Sequence, residues 1–421
     1  MIASLIIALL FASAVDAAAP DEGSNSGDFA VLCEVINLAR TSPAQIAAPG
    51  TEDDILKMAA LINLTLNSPE TLELLVKAEN KDTAVKDTAS SLGKACSEIG
   101  HEICLKAGKR YNENKNLDLY KQWANLRQTD QAKKTVVHLA DSIKALHAKL
   151  AHQLQEADTR AATADLATAL GPKPDNKEEL KLGSSGQNRE TLCGPDASTK
   201  GLAARKSLAA DAICLCAKDT TQTTDNVCSK AVQLTRTDFA NGGSDVKEQW
   251  QKIAEACTAQ ASGNPTTSTT IRAALTAFKQ TIAVGKGSDA KLTNYLGLVD
   301  GTGNSGCAGE KDSNKETCVF YGTNKEDHSL DSIPWARKMA SAANKLETAQ
   351  KAAEEAFRLH TQLLTLNNSL TAVVFTPETQ NQKKLKPDAD TKTTETNKKE
   401  CEAIQKQKNE KQWKLQMGEY R

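Results

Sequence analysis

The chain has 421 residues, 25% of them charged, with a formal net charge of −1. Acidic and basic residues are interspersed, so the one-sided basic field that nucleic-acid binding requires is missing, and that class is set aside. Aromatic residues make up only 4%, which argues against a thick aromatic core and for closely approaching alanine-rich helices; the length suggests two to three domains.

Residues from Ile2 to Val15 are almost entirely apolar, and small residues follow. The run is too short to span a bilayer but suits a signal-peptide core, so residues 1–17 are read as a signal peptide cleaved after Ala17. No Lys or Arg precedes the run, leaving the amino terminus as its only positive charge. Secretion gives meaning to the eleven cysteines. Cys33, Cys96, Cys104, Cys193, Cys214, Cys216, Cys228, Cys257, Cys307 and Cys318 form an even set able to make intradomain disulfides, and Cys401 stands apart. Spacing does not fix the pairing, although Cys307 and Cys318 are able to close a local loop.

The first helical pattern covers Asp28 to Arg40, with Phe29, Leu32, Val35 or Ile36 and Ala39 on one face, and Thr41-Ser42-Pro43 ends it. Asp53 to Lys81 is helical by pattern, with an interruption at Ser68-Pro69. Thr83 to Tyr111 stays helix-compatible apart from its glycines and contains Cys96 and Cys104. From Lys109 to Leu170 there is neither glycine nor proline. Val136, Leu139, Ile143, Leu146, Leu150, Leu154, Ala157, Ala161 and Ala164 alternate in steps of three and four, the mark of a seam close to a heptad. An unbroken helix there would be roughly 90 Å long at about 1.5 Å per residue.

Gly171-Pro172-Lys173-Pro174 stops that helix. The chain to about residue 245 is loop-rich and holds four of the cysteines. Val246 to Ala261 and Thr270 to Val284 return to helix. Gly285 to Pro334 is again loop-rich, with a short hairpin predicted around Cys318-Val319-Phe320-Tyr321. A second long helix is predicted between Pro334 and Pro377, where Trp335, Met339, Ala342, Leu346, Ala349, Ala353, Ala356, His360, Leu363, Asn367 and Leu370 keep strict 4-3 spacing. It is the natural antiparallel partner of the first. The expected architecture is mainly α: an elongated antiparallel two-helix coiled-coil core carrying loop-rich, disulfide-bonded lobes. Residues 18–376 form the main domain, 377–400 a polar flexible linker, and 401–421 a charged remnant of a C-terminal domain.

Signals of chemistry are weak throughout. Gly301-Thr302-Gly303-Asn304-Ser305-Gly306 matches G-x-G-x-x-G, but Cys307 and a charged loop follow where a phosphate site needs a helix N-terminus. His101-Glu102 begins like a zincin motif, yet Leu105 holds the place of the second histidine. His138, His147 and His152 do not stack on one helical face, and His360 falls in the seam. No hydrolytic triad can be assembled. Cys214 and Cys216 have the wrong spacing for a thioredoxin-like pair. No catalytic, cofactor-binding or metal-ligating residue is assigned, and no cofactor is expected. Asn367 and Asn63 head the sequons Asn367-Asn368-Ser369 and Asn63-Leu64-Thr65, whereas Asn264 is excluded by the proline after it.

The run from Phe29 to Ala39, FAVLCEVINLA, after a signal peptide and before helix-rich sequence, resembles the variant surface glycoproteins of African trypanosomes. Leu192-Cys193-Gly194, then Asp211-Ala212-Ile213-Cys214-Leu215-Cys216 and Cys228, is similar to the cysteine signature of that family's type B N-terminal domain. The resemblance covers roughly Phe29 to Phe375. It implies an N-terminal domain built on a long helical hairpin, a homodimer or in some members a trimer, and a small C-terminal domain with a glycosylphosphatidylinositol anchor in the plasma membrane. The implied role is a dense cell-surface coat, met by host antibodies and exchanged for another in antigenic variation, with no catalysis. A receptor for a host serum protein, built on the same rod, is the alternative. The tail departs from the family pattern: only Cys401 follows the linker, and Lys411 to Arg421 offers no attachment site or apolar tail. The expectation for 401–421 is therefore a truncated remnant from an incomplete member.

Overall fold

The computed structural model describes residues 21–45, 50–113, 123, 126, 129–217, 226–229, 242–299, 301–309, 316–323 and 329–375. The signal-peptide stretch, the 377–400 linker and the 401–421 segment lie outside them. The chain divides into two compact units, 1–370 and 371–421. The first holds all the described helices and strands apart from the end of the last helix.

Helix α1 (Ser26–Arg40) buries Phe29, Leu32, Val35, Ile36 and Ala39, the face expected from their spacing. Asp28 in its first turn and Arg40 in its last complement the helix dipole. Helices α2 (Glu52–Asn67) and α3 (Pro69–Lys77) are separated at Ser68, and Pro69 occupies the first position of α3, where a missing N–H costs nothing. A short helix α4 (Lys81–Ala84) starts on an Asn80 cap. Then come α5 (Ser91–Ile99) and α6 (His101–Glu113), divided at Gly100, whose φ of 109° stops the first helix.

The stretch expected as one long helix is divided. Among its described residues are α7 (Asp130–Glu156) and α8 (Arg160–Leu170). Between them the Asp158 carboxylate accepts the Arg160 backbone N–H at 2.8 Å and the Arg160 Nε at 2.6 Å. A short acidic side chain has taken a donor that a continuous helix would use, and the helix restarts. Ahead of the break the seam holds: Val136, Ile143, Leu150 and Ala157, one heptad apart, are buried. Leu139, Leu146 and Leu154 are half-buried. Beyond it the register shifts by one. Ala162, Leu166 and Ala169 are buried, while Ala161 and Ala164 are exposed.

The loop-rich middle contributes α9 (Arg189–Cys193) and α10 (Leu208–Cys216), then α11 (Lys247–Ala259) and α12 (Ser268–Ala283). Strand β1 (Tyr295–Leu298) pairs antiparallel with β2 (Thr317–Phe320), Tyr295 opposite Phe320. The expected β-structure at Cys318 is present, but its partner lies well upstream and no tight hairpin turn joins them.

Helix α13 (Pro334–Phe375) is continuous. Trp335, Met339, Ala342, Leu346, Ala349, Ala356, His360, Leu363 and Leu370 are buried, and Ala353 and Asn367 are half-buried. Its first half runs antiparallel to α8. Lys345 reaches the Ala161 carbonyl at 3.3 Å and Lys338 reaches Asp165 at 2.9 Å, so the later residue of α8 meets the earlier one of α13.

One apolar core gathers α1, α8, α10, α11, α12, both strands and the start of α13. Helices α2, α3, α5, α6 and α7 pack among themselves. The chain is a predominantly helical protein with little strand.

Candidate functional site

The two loop-rich stretches, roughly 171–246 and 285–333, are folded around α10. This helix, LAADAICLC, is apolar apart from Asp211 and all its residues are buried, as expected for a helix surrounded by protein. Ser207 caps it, its hydroxyl accepting the Ala210 N–H at 3.2 Å. Its other end meets Arg189, a buried guanidinium that donates to the carbonyls of Cys214, at 2.5 Å, and Ala217. A cation at a helix C-terminus is matched to the carbonyl dipoles there.

Asp211, fully buried within α10, ties three segments together. Its carboxylate accepts the Arg205 backbone N–H at 2.7 Å, the Tyr321 hydroxyl at 2.8 Å and the Trp335 indole N–H at 2.6 Å. Burial pushes its pKa up to about 6, against the opposing pull of these donors. Burial, with Asp211 beside it, also holds the Tyr321 phenol protonated. Phe278 packs edge-on against both Tyr321 and Trp335, at ring separations of 5.3 and 4.9 Å. Arg205, whose N–H meets Asp211, has a positive φ of 75°.

All ten cysteines before residue 320 are paired. Cys193–Cys214 joins α9 to α10, Cys216–Cys228 and Cys307–Cys318 close local loops, and Cys33–Cys257 clamps α1 to α11. Cys96–Cys104 bridges α5 and α6. Two glycines allow close passage of the stapled loops. At Gly194 (φ 151°) a Cβ would lie 2.7 Å from the Phe320 Cβ, and at Gly306 (φ 64°) it would lie 2.3 Å from the Gly194 carbonyl oxygen.

The residues singled out from sequence are not brought together as a catalytic constellation. A strand does precede Gly301 to Gly306, but the segment continues as turns into Cys307 without a helix, so no N-terminal dipole faces the loop. His101 opens α6, and Cys104 on the same helix is disulfide-bonded. His360 lies buried in α13, and burial lowers the basicity of His147 on α7. No metal-binding group of His, Cys, Asp or Glu occurs among the described residues.

Both sequons lie on helices. Asn63 is half-buried within α2 and its Oδ1 accepts Asn67 Nδ2 at 2.9 Å, while the buried Thr65 hydroxyl donates to the Leu61 carbonyl at 2.7 Å. Asn367 is half-buried on α13, with Asn368 and Ser369 exposed beside it.

Sequence reasoning missed the two organising carboxylates, Asp211 and Asp165. Asp165 on α8 is 6% exposed and accepts from Lys338, Lys345 and the Ser341 hydroxyl, all on α13. Despite the burial, these donors bring its pKa down to about 2. The available signal was an Asp inside an alanine-rich apolar run in both cases.

Fold and chemistry together define a disulfide-stapled helical scaffold. The family described as Trypanosomal VSG domain matches residues 6–365, and the chain belongs to that family. It is similar to variant surface glycoprotein ILTAT 1.25 of Trypanosoma brucei brucei, with 25% identity over 369 residues, covering 87% of this chain and 72% of the relative. Membership makes it a surface coat glycoprotein of the trypanosome type, a structural protein by family. Among the described residues no helix is long and apolar enough to cross a membrane.

Proposed function

We propose that the chain forms part of a dense protective cell coat and serves antigenic variation, presenting its disulfide-stapled loops to host antibodies without catalysing a reaction. The observation that carries this reading is the family match over residues 6–365. The loops around α10 supply the physical support. Their irregular backbone is held by buried polar groups and disulfides, so exposed loop residues are free to vary without loss of the core.

Residues 18–376 are the coat domain, and attachment is through a glycosylphosphatidylinositol anchor as in the family. The chain acts as a homodimer. Phe357 and Leu364, two turns apart on α13, are 71% and 39% exposed, and contact with a second copy would cover them. Asn367 carries the N-linked glycan.

Surface labelling of live trypanosomes expressing this reading frame, followed by phospholipase C treatment, tests the proposal. Label at the surface and released by the lipase is the expected result. Protein retained inside the cell or lost to the medium would overturn the anchored-coat reading. Sedimentation of the purified domain, with Phe357→Glu as comparison, tests the dimer.

A further inference from the structure

A cavity of about 450 Å³ opens where α8 meets the start of α13, lined by Thr168, Lys206, Pro334, Arg337, Lys338 and Ser341. Three of these six residues are cations, and no carboxylate lines the space. Lys338 shares its ammonium with Asp165 at 2.9 Å. The side chains of Arg337 and Lys206 are exposed and have no hydrogen-bond or ion-pair partner among the described residues. A cleft lined by charges of one sign focuses their field, so these cations, with no carboxylate in the lining, give the cavity an excess of positive potential.

The surroundings increase that excess. Arg205, whose guanidinium donates to the Ser332 carbonyl at 3.3 Å, and Lys345, on the next turns of α13, add positive charge. Against these stand Asp165, already shared between Lys338 and Lys345, the exposed Asp331, and the buried Asp211. Pro334 is the first residue of α13, so the positive end of a long helix dipole adds to the same field. Thr168 and Ser341 donate their hydroxyl protons to the Ala164 carbonyl and to Asp165. They cannot also donate to a ligand, and recognition falls to the three cations.

We infer that this cavity is an oxyanion site, taking a phosphate or sulfate group on Arg337, Lys206 and Lys338. The guanidinium fork of Arg337 suits two oxygens of one such group, and the lysines act as point charges. The anion reaches the site either as a free ion or as the sulfate of a sulfated sugar; both present the same three-oxygen face.

Titration of the purified domain with inorganic phosphate, inorganic sulfate and a sulfated disaccharide, read by calorimetry and by NMR of the Arg337 side chain, tests the assignment. The expected result is saturable one-site binding that weakens as NaCl is raised. It should also weaken about tenfold or more in Arg337→Ala, with a similar loss in Lys206→Ala. Both side chains are exposed, so thermal melting of the variants should match that of the parent. Tighter binding of the disaccharide than of inorganic sulfate identifies a sugar-borne ligand; equal binding identifies the free ion. Absence of saturable binding to all three probes, or binding unchanged in the Arg337→Ala, Lys206→Ala double variant, would overturn the inference.

Discussion

The indole N–H of Trp335 donates to Asp211 Oδ2 at 2.6 Å, joining the first turn of α13 to the buried centre of the loop region. The same oxygen takes the Tyr321 hydroxyl, and the other takes the Arg205 N–H. One carboxylate therefore holds α10, α13, the end of β2 and the loop before α10 in register. Removing it with Asp211→Ala would leave three donors without their acceptor. At about 1 to 3 kcal/mol for each buried orphan, the domain should lose several kcal/mol of stability, measurable by chemical denaturation.

Because the folded-state pKa of Asp211 is raised to about 6, its protonated form is favoured by folding. The associated stability is fully present below the unfolded value of about 4 and is lost as pH rises through 6. The change amounts to about 3 kcal/mol. Melting temperature should fall between about pH 4 and 6.5 and level off above that, and Asp211→Asn should flatten that part of the profile. A parent profile as flat as that of the asparagine variant would contradict this environment for Asp211.

Asp165 has the opposite sign. Its pKa is lowered to about 2 by Lys345, Ser341 and Lys338, so its contribution is present above about pH 4 and lost as pH falls through 2. The lysines are nearly half exposed, and solvent screening reduces the contribution to about 1–2 kcal/mol. Acid melts of Asp165→Asn should show a shallower decline between pH 4 and 2 than the parent, with Lys345→Met giving part of the same effect.

The seam residues of α7 are not equivalent. Ile143 is fully buried and Leu146 only half so. Ile143→Ala should cost about 2–4 kcal/mol and Leu146→Ala roughly 1 kcal/mol. A charged residue at 146 can turn toward solvent, whereas one at 143 cannot. Urea denaturation of the two alanine variants should rank them in that order, and the reverse order would mean that the heptad phase of α7 is misplaced.

That ranking marks where the fold was legible. Apolar spacing alone identified the face of α1, the buried stripe of α13 from Trp335 to Leu370, and the first part of the α7 seam. The break at Asp158 was not legible, because Asp158-Thr159 lies in a glycine- and proline-free run and its signal is one local side-chain hydrogen bond. That omission moved the expected seam onto Ala161 and Ala164, one residue from the buried Ala162 and Asp165. The cysteines announced a stapled region, but pairing Cys33 with Cys257 needs α1 and α11 to be adjacent, which spacing does not encode. Asp211 could not be weighed for the same reason: its partners Tyr321 and Trp335 are remote in sequence.

The two sequons should behave differently, and the reason lies in their helices. Thr65, which completes the first sequon, is buried, whereas Ser369, which completes the second, is exposed; each hydroxyl donates to the carbonyl four residues back, Leu61 and Thr365. A glycan on Asn63 must leave α2 beside the packed faces of α6 and α7. At the second sequon Asn367 is half-buried like Asn63, but Asn368 and Ser369 beside it face solvent, which leaves more room for a glycan on α13. Protein secreted from trypanosome cells should therefore carry a glycan at Asn367, and Asn367→Gln should increase gel mobility to that of the enzymatically deglycosylated chain. Asn63→Gln should leave mobility unchanged. Mass spectrometry finding a glycan on Asn63 and none on Asn367 would reverse the assignment and place the exposed face of α2 on its other side.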